Sequence, residues 1–212
     1  MSKFQFAQSR SLIGDLSHLK PCILVCAPSN AAVDELTERL LVEGIVDMLG
    51  RRSQPNLIVR VAHMDKVRQS IRNVTLSALV KQHTARIGHQ AAAVSVLNQL
   101  TDQRNLTAES QITSNEGKLL NMRIEVAQAM ASGSPDKKEK VQDILLKHAD
   151  IVLSTLSSSD SDALVNHRFD WLIVDEAAQC SEPSVLVALN KLKTGGRCLM
   201  IGGQAYSIEI QQ

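Results

Sequence analysis

Trp171-Leu172-Ile173-Val174-Asp175-Glu176-Ala177-Ala178-Gln179 is an apolar run of strand length that ends abruptly in two adjacent carboxylates. Such a continuous run predicts a strand buried on both faces, as in parallel sheets covered by helices on either side. Four further runs rich in β-branched residues have the same character: Cys22–Ala27, Leu57–Val61, Ile151–Leu156 and Cys198–Ile201. Helical spacing fills the intervals. Val33, Leu36 and Leu40 follow Asn30 as cap, with Gly50 available as stop. The alternation predicts an α/β fold built on a parallel sheet.

Moving outward, the alternation is interrupted between Asp65 and Ala131. Leu76, Leu79, Val80, Ile87, Ala91, Val94, Leu97 and Leu100 recur at three- and four-residue steps, and Leu119, Met122, Val126 and Met130 do the same after the polar stretch Asn105–Asn115. This predicts a helical insertion of two antiparallel helices. Ser132–Lys140, with Gly133, Ser134, Pro135 and three lysines, is expected to be an exposed linker, and a short helix over Val141–His148 leads back to the sheet. The expected organisation is an N-terminal part of one domain at 1–64, the insertion at 65–131 and the C-terminal part of the same domain at 132–212.

Composition sets the outer bounds. With 212 residues, 44% of them apolar, the chain is long enough for one sizeable core. A net charge of +1 gives no whole-molecule attraction to polyanions, so any such site is local. Cys22, Cys26, Cys180 and Cys198 lie in or beside apolar runs rather than in ligand spacings, which predicts reduced thiols in a nuclear or cytoplasmic protein. No window approaches the ~20 apolar residues of a membrane span.

Ligands of open parallel sheets bind beyond the carboxyl ends of the strands, where an acidic pair meets a metal–phosphate complex without being buried unpaired. In a nucleotide hydrolase Asp175 would hold Mg²⁺ and Glu176 would orient and deprotonate the attacking water. The alternative is an ordinary strand terminus with solvated acids. At Ile23–Asp34 a second strand runs through Pro28 into a helix, where Ser29 and Asn30 are placed to cap it and its free N–H groups to seat a phosphate. Ser154 and Thr155 repeat the arrangement on the next strand. Their hydroxyls either bond nucleic-acid phosphates or merely solvate a loop.

Order and spacing of these pieces resemble one family. Cys26–Leu36, reading CAPSNAAVDEL, is similar to motif Ia of superfamily 1B helicases of the senataxin and nonsense-mediated-decay type. Asn56–Val67 with Thr75-Leu76 continues the likeness, Ile151–Ser157 resembles motif Ic, and Asp170–Pro183, DWLIVDEAAQCSEP, resembles motif II. The resemblance implies a RecA-like domain of the P-loop NTPase type, belonging to an ATP- and Mg²⁺-dependent 5′ to 3′ translocase. It further implies that Pro28, Ser29, Asn30, Ser154 and Thr155 touch single-stranded RNA or DNA. Asp175 then holds Mg²⁺, Glu176 is the catalytic base, and Gln179 senses the γ-phosphate. The insertion would be a prong that engages nucleic acid or protein partners, with Arg68, Arg72, Lys81, Arg86 and Arg104 available to phosphates. Its lack of aromatics points to backbone contacts rather than base stacking.

The chain departs from the family in two places. A Gly-rich loop ending in Gly-Lys-Ser/Thr is absent, with Met1–Arg10 standing where it belongs and Ser11–Leu19 resembling the helix that follows it. Ile201-Gly202-Gly203-Gln204-Ala205-Tyr206 lacks the Asp and Gln of motif III. The missing phosphate-loop strand, expected inside the sheet, would leave both neighbours without backbone partners. The expectation is therefore a truncated helicase domain that does not turn over ATP alone. Two other readings stand beside it: a non-catalytic nucleic-acid or protein-binding module, and an unrelated phosphohydrolase using Asp175 and Glu176.

Overall fold

A computed structural model of the chain describes residues 21–46, 49–88, 90–106 and 115–202. Met1–Arg10, Ser11–Leu19, the centre of the polar stretch at 107–114 and the residues after Gly202 lie outside the described residues.

Five strands form one sheet in the order β4-β5-β1-β6-β7. They are β1 (Ile23–Ala27), β4 (Ile58–Arg60), β5 (Ile151–Thr155), β6 (Phe169–Val174) and β7 (Leu192–Met200). Every pairing in this sheet is parallel. A two-stranded antiparallel ribbon, β2 (Ile45–Val46) with β3 (Arg52–Ser53), stands apart. Residues alternate between faces along β1. Leu24 and Cys26 face the larger core with Val59, Val152, Leu172 and Val174, whereas Val25 and Ala27 face Val33 and Leu36 of α1 (Asn30–Glu43). This three-layer arrangement is the α/β fold on a parallel sheet expected from the apolar runs, and it is of the RecA-like type that the resemblance implies.

The larger core also takes in α2 (Leu76–Ile87), α3 (Gln90–Asn105), α4 (Asn115–Ala131), α5 (Lys137–His148) and α6 (Glu182–Leu189). Leu76, Leu79 and Val80 of α2 and Val126 and Ala127 of α4 are buried in one cluster with the sheet residues. The periodicity that reads as one helix through Leu100 is broken at Gly88. With φ +70° it ends α2, its N–H donating to the Thr84 carbonyl, and α3 starts two residues later. Between residues 65 and 131 there are thus three α-helices among the described residues, with α3 packed against α4. The linker is also shorter than expected, since α5 starts at Lys137.

The stop of α1 is Gly44, not Gly50. Gly44 has φ +70° and donates to the Leu40 carbonyl, and a Cβ there would stand 2.6 Å from the Ser53 carbonyl oxygen. The sheet has no missing strand inside it: β5-β1-β6-β7 are hydrogen-bonded neighbours, with one register shift between β6 and β7. The expected loss of partners on both sides of a missing strand is therefore not seen inside the sheet. Among the described residues β4 and β7 are the two edge strands, and at the end of β7 Leu199 and Met200, with Ile201 just beyond it, are 48%, 51% and 46% exposed. No helix of the described residues is long and apolar enough to cross a membrane.

Candidate nucleotide and nucleic-acid site

Because the strands are parallel, their carboxyl ends share one edge of the sheet, and three loops leave that edge from adjacent strands. Register pairs Cys26 of β1 with Val174 of β6 on one side and with Ser154 of β5 on the other. Neighbouring strands lie about 4.8 Å apart, so the loops after β5, β1 and β6 are in reach of one another.

The acid pair follows β6. The Asp175 N–H donates to the Cys26 carbonyl at 2.8 Å, which carries the ladder one residue past the strand, and the Asp175 Oδ1 accepts the Glu176 N–H at 3.0 Å. Glu176 is the single non-glycine residue with positive φ among those described, at φ 52° and ψ 35°. An L-residue in this region costs about 1–2 kcal/mol, and such strain concentrates where a side chain must be aimed. The left-handed turn starts the 3₁₀ segment Ala177–Gln179, in which the Gln179 N–H donates to the Glu176 carbonyl and the Gln179 side chain is exposed. Both carboxylates are partly buried, and among the described residues no cation is paired with either.

This geometry suits a hard divalent cation that takes a single carboxylate from the protein and its other ligands from phosphate and water. Among the described residues no group of three or more His, Cys, Asp or Glu is placed to hold a metal by itself. Mg²⁺ held by Asp175 and shared with a nucleotide fits the acid pair. The triphosphate fits less well, because neither the sequence nor the described residues supply the Gly-rich loop and lysine that would cradle it.

After β1, Pro28 ends the strand and Ser29 caps α1. Its hydroxyl accepts the Ala32 N–H at 3.1 Å and its carbonyl accepts the Val33 N–H at 3.2 Å, which leaves the Asn30 and Ala31 amides of the first turn open. Asn30, expected as the cap, is instead the first helical residue. Its Oδ1 accepts a bond of 2.8 Å from Arg60 Nη2.

After β5 the outcome differs from the expectation. Ser154 is fully buried, with its hydroxyl 3.5 Å from Cys26 Sγ, so it packs the sheet interior and presents nothing to a strand of nucleic acid. Thr155 is 7% exposed and its hydroxyl is engaged with Ser158, donating to Ser158 Oγ and accepting the Ser158 N–H. Its hydroxyl closes the turn that follows the strand. Ser157 is the exposed hydroxyl of this loop.

Arg60 is the residue that sequence reasoning missed. It lies inside β4 with a side chain 0% exposed, and it donates Nε to Asp34 Oδ1 at 3.1 Å, Nη1 to the Val61 carbonyl and Nη2 to Asn30. Burial lowers its pKa from the ordinary arginine value, and Asp34 works against that fall. The second Asp34 oxygen accepts the Arg68 N–H at 2.9 Å. The available signal was a charged residue within an apolar strand, which needs a buried partner. Of the insertion's cations, Arg68 is paired with Glu38, while Arg72 and Lys81 border a groove of about 670 Å³ along α2 that Met64, Ser77 and Ala78 also line. Burial pushes the Cys22 and Cys26 thiols up to about 12, which leaves both neutral, and all four cysteines are free.

Comparison with known proteins agrees with this geometry. A family model described as an AAA domain matches residues 7–205. The chain is 31% identical over 217 residues to helicase SEN1 of Saccharomyces cerevisiae, covering 86% of this chain and 10% of that protein. It is 28% identical to helicase sen1 of Schizosaccharomyces pombe, over 86% of the chain and 13% of the relative. It is also 28% identical to the DNA-binding protein SMUBP-2 of Mus musculus, over 85% of the chain and 16% of the relative. The chain thus spans between a tenth and a sixth of the length of these relatives. Matched over most of its length by that model and by the two yeast helicases, the chain belongs to the AAA domain family, in the superfamily 1B helicase branch of the senataxin type.

Proposed function

We propose that this chain forms the nucleic-acid face and the acid pair of the first motor domain of an ATP-dependent helicase. The observation that carries the reading is the adjacency of two loops. The Pro28–Asn30 turn and the Asp175–Glu176 pair leave neighbouring strands and are joined by the bond from the Asp175 N–H to the Cys26 carbonyl. A cleft of this kind couples a phosphate-backbone contact to events at a metal–nucleotide site, which is what a translocating motor requires.

In this reading Asp175 holds Mg²⁺ and the left-handed backbone of Glu176 aims its carboxylate at the attacking water. Gln179, exposed on the same turn, faces the γ-phosphate. Pro28, Ser29 and Asn30, with the open amides of α1, receive one phosphate of a single-stranded RNA or DNA. The helices between residues 65 and 131 are the surface for a second strand or a protein partner, with Arg72 and Lys81 as the cations beside its groove. ATP supplies the energy in the whole motor, moving 5′ to 3′. Lacking a lysine-bearing phosphate loop, this chain alone binds a strand without turning over ATP.

The test is ATP hydrolysis by the purified chain, with and without single-stranded RNA, beside Glu176→Gln. Turnover indistinguishable from that variant is expected. RNA-stimulated hydrolysis abolished by the substitution would show that an ATP site forms without the loop and would refute the second half of the proposal.

A further inference from the structure

We infer that Arg60 is a positioning residue for the nucleic-acid face, fixing the Asn30 carboxamide so that Asn30 presents only hydrogen-bond donors outward. The inference rests on the reading that the start of α1 meets a phosphate. A guanidinium has five donors and no acceptor, so the atom that faces Arg60 Nη2 must be the Asn30 carbonyl oxygen. A flipped amide would set N–H against N–H. Arg60 cannot turn away to permit that flip. Its side chain is 0% exposed and two further bonds, to Asp34 Oδ1 and the Val61 carbonyl, fix the plane of the fork. The Asn30 Nδ2 group is left away from Arg60 with no acceptor among the described residues, in the same first turn as the open amides of Asn30 and Ala31.

The same arginine neutralises the Asp34 carboxylate near this surface. No acidic residue lies in the first turn of α1, and Asp34, one turn further on, is 1% exposed and neutralised by Arg60 and the Arg68 N–H. What remains is a cluster of N–H donors at the positive end of a 14-residue helix. Its complement is an anionic oxygen, and a phosphodiester supplies one.

Asn30→Asp isolates this claim. The aspartate keeps an oxygen for Arg60 Nη2, so the internal network survives, while the outward atom changes from a donor to an anionic acceptor. Binding of a fluorescein-labelled single-stranded oligo-uridylate is followed by anisotropy in the full chain at about 50–100 mM salt. Asn30→Asp is expected to melt no lower than the parent and to bind at least tenfold more weakly. Asn30→Ala, which loses one hydrogen bond, is expected to lose about 2- to 10-fold. Arg60→Lys, unable to hold Asp34 and Asn30 together, is expected to lose as much as Asn30→Ala, and the double variant no more than either alone, as coupled residues behave. If Arg60→Lys does not fold, Asn30→Asp carries the test by itself. Parent-like binding by folded Asn30→Asp would overturn the inference, as would additive losses in the double variant. Failure of the parent to bind any oligonucleotide would instead overturn the reading beneath it.

Discussion

Asp34→Ala is the substitution whose cost the structure lets us estimate most closely. Asp34 is 1% exposed and meets Arg60, whose side chain is 0% exposed, at 3.1 Å, while its other oxygen takes the Arg68 N–H at 2.9 Å. Removing the carboxylate leaves a buried guanidinium with no counter-charge and an amide with no acceptor. Breaking one side of such a pair costs about 3–5 kcal/mol. Against a domain stability of about 5–15 kcal/mol, that is a fifth of the total at the least, so the urea midpoint should fall sharply. Glu38→Ala is the control. Its ion pair with Arg68 has side chains 46% and 33% exposed, a setting worth about 0–1 kcal/mol. A double variant, Asp34→Leu with Arg60→Met, should recover most of the loss, because two apolar groups of similar size replace the pair without a stranded charge. An Asp34→Ala loss below about 1 kcal/mol, or one equal to that of Glu38→Ala, would refute the idea that this buried pair holds α1 to β4.

Other outcomes follow from the same coordinates. Glu176→Gly should match or exceed the parent's stability by up to about 1 kcal/mol in thermal melts, because glycine accepts φ 52° without strain; a clear fall in stability would show that the side chain supports the fold. Burial, with Arg86 and Arg123 close by, lowers the His83 pKa in the folded chain from its ordinary 6.5. The unfolded chain then binds the proton more readily, so His83 costs stability as pH drops below about 6.5. His83→Gln should flatten the urea midpoint between about pH 5 and 7, and an unchanged slope would remove His83 as a source of acid sensitivity. Leu172, 0% exposed on β6 between β1 and β7, should cost about 2–5 kcal/mol on truncation to Ala by urea melt; a cost under 1 kcal/mol would mean that this face is not packed as described.

The strands with continuous apolar residues were legible from sequence because burial on both faces writes an unbroken pattern. β7 was legible only in its second half. Lys193, Thr194, Gly195 and Gly196 carry no apolar signal and fall in a register shift between the Phe169–Leu192 and Trp171–Arg197 pairs, with Arg197 lying over the Trp171 ring at 5.3 Å. The split between α2 and α3 was hidden because the apolar spacing continues across Gly88, whose role is conformational. At the site, the acid pair and the capped turn after β1 could be placed from their positions at strand ends. The burial of Ser154 could not, since a hydroxyl at a strand terminus reads alike whether it faces solvent or a neighbouring cysteine. The Arg60–Asp34–Asn30 network spans 30 residues of chain, and only the packing of α1 on the sheet face that carries Ile58 of β4 brings it together.

The most direct test of the account is binding of a labelled single-stranded oligonucleotide to the purified chain without nucleotide, titrated between about 50 and 200 mM salt. The account predicts measurable binding at low salt that weakens linearly in log affinity against log salt, unchanged by Glu176→Gln and at least tenfold weaker in Asn30→Asp. A folded chain that binds no strand at the lowest salt would contradict it.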